Sequence, residues 1–269
     1  MKKVMLVFGT RPEAIKMCPL VNELKKNDSI KTIVCVTGQH KEMLEQVLDV
    51  FKVVPDYDLG IMKANQTLFT ITTSILDKIQ AVLEQEKPDI VLVHGDTSTT
   101  FATALAAFYM GIKVGHVEAG LRTYNLQSPF PEEFNRQTTS IIADYHFAPT
   151  EMAKENLLKE GRKNIFVTGN TVIDALKTTV QEDYDHPILE WAKGSKLIML
   201  TAHRRENLGQ PMENMFNAVN RILNEFEDVK KIKIVPITEN IVENKDGTNE
   251  NNDKIEFKIK IKIMRKIQK

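Results

Sequence analysis

The sequence predicts an α/β fold organised as a doubly wound parallel sheet. Three observations predict it. Short apolar runs recur, as at residues 4–8, 32–37 and 90–93, and such runs suit strands buried on both faces. Each run ends in a glycine-bearing loop and leads into a longer stretch with helical spacing, which is the alternation of βαβ units. This alternation continues to about residue 236 and then stops. The chain therefore divides into a complete domain over 1–169, a partial one over 170–237 and a compositionally distinct tail over 238–269.

Bulk properties narrow the function classes. The 269 residues carry 36 basic and 36 acidic side chains, so the total shows no electrostatic footprint for nucleic acid. Cys18 and Cys35 fall on an apolar helix face and in a strand, where they read as buried small hydrophobes. The apolar core of the N-terminus, residues 4–8, is too short for a secretion signal. No run approaches the ~18 apolar residues of a membrane span. The expectation is a soluble, cytoplasmic protein with no membrane partner.

In chain order, strand 4–8 leads through Gly9 and Thr10 into a helix. Thr10 and Glu13 have capping-box spacing, and Pro12 is tolerated in a first turn. A glycine turn before a helix N-terminus is a natural anion site, and Arg11 and Lys16 add two cations. Neither the Walker A spacing nor the dinucleotide fingerprint occurs. Strand 32–37 ends in Gly38, Gln39 and His40, polar loop residues, and a helix follows to about Phe51. Residues 56–63 form a connecting loop, and 66–85 a helix with Leu68, Ile71, Ile75, Ile79 and Val82 as its buried stripe.

Strand 90–93 ends in His94, Gly95 and Asp96, and Asp96 with the following Thr/Ser cluster can cap the next helix. That helix carries Phe101, Leu105 and Phe108 as an apolar stripe, and Gly111 stops it. Strand 112–117 ends at Glu118. Right-handed βαβ connections bring the two strand ends to one edge, so Asp96 and Glu118 share the crevice where open α/β sheets bind ligands. Two carboxylates there are the beginning of an acid/base site. Beyond them, Pro129 and Pro131 hold an extended approach to a helix whose first turn contains Glu132 and Glu133, a position the helix dipole favours for acids. Strands 145–148 and 165–167 follow, with a helix between them, and Thr168, Gly169 and Asn170 close the first domain.

The second domain is expected to hold a helix at 171–180, a linker at 183–187 and a strand at 196–201 that ends in Ala202, His203 and Arg204. A helix at 211–226 with Met215, Val219, Ile222 and Phe226 inward and a strand at 231–235 complete it. The tail holds seven Lys, six Ile and five Asn with no Ala, Leu or Pro, a bias that argues against a packed core. A doubly wound domain that stopped after two strands would expose a sheet edge, so either the domain is incomplete or a partner covers it.

With FGTRPEAIKM, LVHGDT, GHVEAGLRT, PFPEEFNRQ and TAHRREN in this order, the chain resembles non-hydrolysing UDP-N-acetylglucosamine 2-epimerases over about residues 1–236. The resemblance implies a GT-B-like fold: one complete Rossmann-like doubly wound domain, an incomplete second one, and nucleotide sugar in the cleft between them. It implies a homodimer that interconverts UDP-GlcNAc and UDP-ManNAc without a redox cofactor or metal, by eliminating UDP to 2-acetamidoglucal and adding it back. Asp96, Glu118 and Glu132 match the family's catalytic carboxylates, and His203 its cleft histidine. Arg11 and Lys16 match contacts to the nucleotide sugar, and Gln39, His40 and Arg204 fall where a second, regulatory substrate site is built. His94 and His116 are read as structural. The tail lacks the family's further motifs, which suggests a shift of reading frame and impaired turnover; the rival reading is a remnant that binds sugar nucleotide or an intact subunit. A metal-dependent hydrolase using His94, Asp96, His116 and Glu118 is a further alternative.

Overall fold

The alternation read from the sequence appears in the computed structural model, which describes residues 1–38, 41–63, 65–180, 185, 187–201, 209–226 and 229–234. Two units separate, Met1–Val180 and Gln181–Lys269. The first contains β1 (Lys2–Phe8), α1 (Arg11–Leu24), β2 (Ile30–Val36), α2 (Lys41–Phe51), β3 (Tyr57–Asp58), α3 (Leu68–Glu86) and β4 (Ile90–His94). It continues with α4 (Ser98–Tyr109), β5 (Lys113–Val117), α5 (Glu132–Ile142), β6 (Tyr145–Ala148), α6 (Glu151–Lys159), β7 (Ile165–Val167) and α7 (Val172–Thr179).

Its seven strands are parallel and ordered β3-β2-β1-β4-β5-β6-β7. The order reverses between β1 and β4, which creates a topological switch point at their carboxyl ends. Both sheet faces are covered, as the apolar runs require. Leu6, Phe8, Val34 and Val36 pack with Ala14, Met17, Cys18 and Leu48 on one side. Met5, Val7, Ile33 and Cys35 pack with Ile75, Ile79, Ala102 and Ala106 on the other. The two cysteines are thus free, buried and on opposite faces, and burial pushes both thiols up to about 12.

Several local expectations change. The stripe on α4 is not Phe101, Leu105 and Phe108: Phe108 is 58% exposed, and the buried residues are Thr99, Thr100, Ala102, Thr103, Ala104, Ala106 and Ala107. Small side chains win this face because α4 lies between the sheet and its helical neighbours α3 and α5; Phe101 instead meets Phe134 of α5 edge-on at 5.6 Å. On α3, Leu68 is exposed while Ile75, Ile79 and Val82 are buried. Of the Asp96 and Thr/Ser cluster expected to cap α4, it is Thr97 that does so, its hydroxyl accepting the Thr100 N–H at 3.1 Å. The loop expected over 56–63 contributes the short strand β3, paired with β2. Helix α7 packs on α1, with Ala175 in the core of the first unit.

The second unit contains α8 (Pro187–Ala192), β8 (Lys196–Thr201), α9 (Gln210–Glu225) and β9 (Val229–Ile234), with β8 and β9 parallel. Helix α8 begins at Pro187, where the expected linker ends. Helix α9 buries Phe216 and Leu223, while Phe226, expected inward, is 49% exposed. Among the described residues no helix is long and apolar enough to cross a membrane.

Gly120, just beyond β5, combines φ +91° with a close backbone approach: a Cβ there would lie 2.2 Å from the carbonyl oxygen of Ala153. Gly120→Ala is expected to destabilise the chain by about 1–3 kcal/mol, read as a lower urea midpoint. An unchanged midpoint would remove this constraint.

Candidate active site at the sheet reversal

At the carboxyl edge, β1 leads into Gly9 and Thr10, β4 into Gly95, Asp96 and Thr97, and β5 into Glu118. A cavity of about 260 Å³ opens there, lined by Thr10, Lys16, His94, Asp96, Glu118 and Arg136 among others. Parallel pairing of β4 with β5, His94 opposite Val117, brings the two strand ends together. The sequence expectation that Asp96 and Glu118 share a crevice holds in the structure.

Glu118 has φ 62°, a left-handed conformation that costs a non-glycine residue ~1–3 kcal/mol and turns up at functional sites. The amine of Lys16 donates to Glu118 Oε2, His94 Nε2 lies 2.9 Å from the same oxygen, and Asn170 Nδ2 donates to Oε1 at 3.1 Å. The His94 contact is close but falls outside the geometry of a well-aligned hydrogen bond. Burial pushes the Glu118 carboxyl up, but His94 and Lys16 together outweigh it and bring the group to about 2.

Asp96 is tuned the other way. Burial raises its carboxyl, and the negative charges of Glu132 and Glu118 add to the rise against the opposing pull of Arg136. Arg136 Nη2 stands 2.6 Å from Asp96 Oδ2, and Asn135 Nδ2 donates to the Asp96 carbonyl at 2.9 Å. Two carboxylates on one cavity are thus moved in opposite directions, the pattern that separates an acid from a base.

A family model described as UDP-N-acetylglucosamine 2-epimerase matches residues 22–266. The chain belongs to this family. The match takes in most of the 238–269 segment whose composition sets it apart. The UDP-N-acetylglucosamine 2-epimerase of Bacillus subtilis (strain 168) is 64% identical over 232 residues, covering 86% of this chain and 61% of the relative. The chain therefore spans less than two thirds of that relative's length. Among solved structures, a putative UDP-N-acetylglucosamine 2-epimerase from Listeria monocytogenes superposes with TM-score 0.83 at 57% identity, over 89% of this chain and 63% of its own. The UDP-GlcNAc 2-epimerase from Neisseria meningitidis, solved bound to UDP-GlcNAc, gives TM-score 0.81 at 50% identity, over 88% and 66%.

The residues that resemble the epimerase motifs fall unevenly in space. Lys16 reaches the cavity, whereas Arg11 is exposed on the first turn of α1 and does not line it. Glu132 opens α5 and influences Asp96 through charge, but it is not a lining residue. Its neighbour Glu133 is fully buried and accepts the N–H groups of Thr123 and Tyr124 at 3.1 and 3.0 Å. Gln39, His40, His203 and Arg204 lie outside the described residues.

Of the N–H groups around the start of α1, those of Gly9 and Thr10 are taken from within, by Glu13 Oε2 at 3.0 and 2.8 Å. His94, read as structural, lines the cavity beside Glu118. His116 is fully buried, donates through Nε2 to the Gly95 carbonyl at 2.7 Å, and is pushed down to about 3 by burial. No group of three or more His, Cys, Asp or Glu among the described residues is disposed to hold a metal ion. Asn135 and Arg136, inside the PFPEEFNRQ motif, and Asn170 join the site although the sequence does not single them out as site residues. Glu133 and Arg136 stand three apart, a spacing that reads as an ordinary intrahelical pair and conceals the reach to Asp96.

A folded-state value of about 2 against an ordinary 4.5 fixes the sign of the pH effect. Ionised Glu118 stabilises the folded chain fully above about pH 4.5 and progressively less as pH falls toward 2. Lys16→Met should raise the Glu118 titration midpoint, followed by carboxyl ¹³C NMR. A midpoint that does not move would show that Lys16 has no part in holding the charge.

Proposed function

We propose that this chain acts in the interconversion of UDP-GlcNAc and UDP-ManNAc, by eliminating UDP across carbons 1 and 2 and adding it back. The observation that carries the reading is the opposed tuning of Asp96 and Glu118 on one cavity, in a chain of this family. Carbon 2 of the sugar is not next to a carbonyl, so direct removal and return of its proton is difficult. Elimination releases the diphosphate as the proton leaves and forms 2-acetamidoglucal. Re-addition then protonates carbon 2 from the opposite face and inverts it.

This chemistry needs a proton carrier on each face and cations for the departing diphosphate. Asp96 and Glu118 are assigned the two proton carriers, one taking the carbon-2 proton and the other returning one from the opposite face, with the parts exchanged in reverse. Lys16 stands beside Glu118 and supplies positive charge to the leaving group, with Arg11 and His203 as further contacts. Glu132 reinforces Asp96 through its charge. Gln39, His40 and Arg204 are proposed for a second substrate site, and the functional unit is proposed to be a homodimer.

Turnover by this chain is a separate claim from family membership, because it spans 61% of the length of the Bacillus subtilis relative. The second reading is therefore a non-catalytic role, binding sugar nucleotide or an intact subunit. Incubation of the purified chain with UDP-GlcNAc in D₂O, followed by NMR, separates the two. Deuterium at carbon 2 with appearance of the manno epimer supports turnover, and Asp96→Asn and Glu118→Gln should each then slow exchange by ~10²–10⁴. A folded chain that shows saturation transfer to the nucleotide but no exchange supports binding alone. Rates unaffected by either substitution would overturn the assignment of these carboxylates.

A further inference from the structure

Glu13 is 2% exposed, and among the described residues no ion pair is formed with it. Neutral donors surround it instead. One oxygen caps the helix locally, with Oε2 accepting the Gly9 and Thr10 N–H groups and the Thr10 hydroxyl at 2.9 Å. Capping α1 requires nothing more. The second oxygen reaches another part of the chain, accepting the hydroxyl of Thr97 at 2.7 Å and lying 3.3 Å from that of Thr100.

Thr97 directly follows Asp96 and is the cap of α4. The carboxyl group of Glu13 thus ties the loop after β1 to the loop after β4 across the sheet reversal. Around this tie the packing is tight. Thr37 and Thr99 hydroxyls meet at 3.1 Å, and a Cβ on Gly9 would lie 1.9 Å from Thr37 Oγ1. The Thr100 hydroxyl also donates to the His94 carbonyl. Asp96 is held on its far side by Asn135 and Arg136 of α5. Its near side is held through Thr97, and so through Glu13.

Glu13 borders the cavity, but both of its oxygens are taken up by the two loops, and we infer that it is a positioning residue for the reaction, setting the backbone that carries Asp96. The inference rests on the functional reading above. Its physical content is distance: a misplacement of about 1 Å at a reacting group costs ~10²-fold in rate. Glu13→Asp keeps the charge but withdraws it by one methylene, so it cannot serve both loops. Glu13→Gln keeps the length; its amide oxygen can face the Gly9 and Thr10 N–H groups, and its NH₂ can donate to the threonine hydroxyls, which accept as well as donate.

The test compares Glu13→Asp and Glu13→Gln in the full chain, each first shown to be folded by circular dichroism. Two readouts are taken: kcat and KM for UDP-GlcNAc epimerisation, and the Asp96 titration by carboxyl ¹³C NMR without substrate. Glu13→Asp should lower kcat by ~10–100-fold with little change in KM and should move the Asp96 midpoint. Glu13→Gln should recover most of the lost kcat and leave that midpoint near wild type. A folded Glu13→Asp variant with wild-type kcat and an unmoved midpoint overturns the inference, as does equal loss in both variants. If the unsubstituted chain shows no epimerisation, the functional reading fails by itself, and the Asp96 titration alone decides for or against the positioning role.

Discussion

Everything at the site depends on β1 and β4 lying side by side. They are distant in sequence but pair in parallel, Val4 with Ile90 and Leu6 with Leu92. The register is pinned at its start, where Asp89 accepts the Lys3 N–H at 2.8 Å and its own N–H donates to the Lys3 carbonyl at 2.9 Å. The ion pair between Lys2 and Asp89 is exposed and adds little; the backbone bonds set the alignment. From that register the loops after the two strands must emerge together. They meet at the point where the sheet order changes direction, and the crevice follows from topology before any side chain is considered.

What the side chains add is a division of charge. Glu118 is surrounded by Lys16, His94 and Asn170, so its negative charge is well compensated. Among the described residues, Asp96 faces Arg136 and, more weakly, His94, against the two acids Glu132 and Glu118. The asymmetry comes from which helix each residue faces. Glu118 looks toward α1 and the segment before α7, which supply donors; Asp96 looks toward α5, whose first turn is acidic. One helix therefore both holds Asp96, through Asn135 and Arg136, and opposes its ionisation, through Glu132.

The fold is legible in the sequence because its signals are local. Apolar runs give the strands, and glycine and threonine mark their ends; the Thr10–Glu13 capping box stands as read. The pairing of Asp96 with Glu118 is legible for the same reason, since strand ends are a matter of connectivity. Legibility fails where a side chain acts across elements. The aromatic spacing on α4 resembles a core stripe, but the space beside the sheet admits only alanine and threonine there. Glu13 reads as a cap, which it is, yet its second oxygen serves a helix that sequence distance hides. Arg136 sits in a motif that marks the neighbourhood and Asn170 at a domain end, but the local explanation of each hides its reach to Asp96 or Glu118.

The two buried thiols provide an independent view of the same architecture. Cys18 belongs to the layer under α1 and α2, Cys35 to the layer under α3 and α4. With both groups pushed up to about 12, neither is a nucleophile in the folded chain. Each becomes reactive only when its own layer parts from the sheet. The protein thus contains a natural pair of reporters, one per layer, and alkylation rates at the two positions tell whether the layers open together or one at a time.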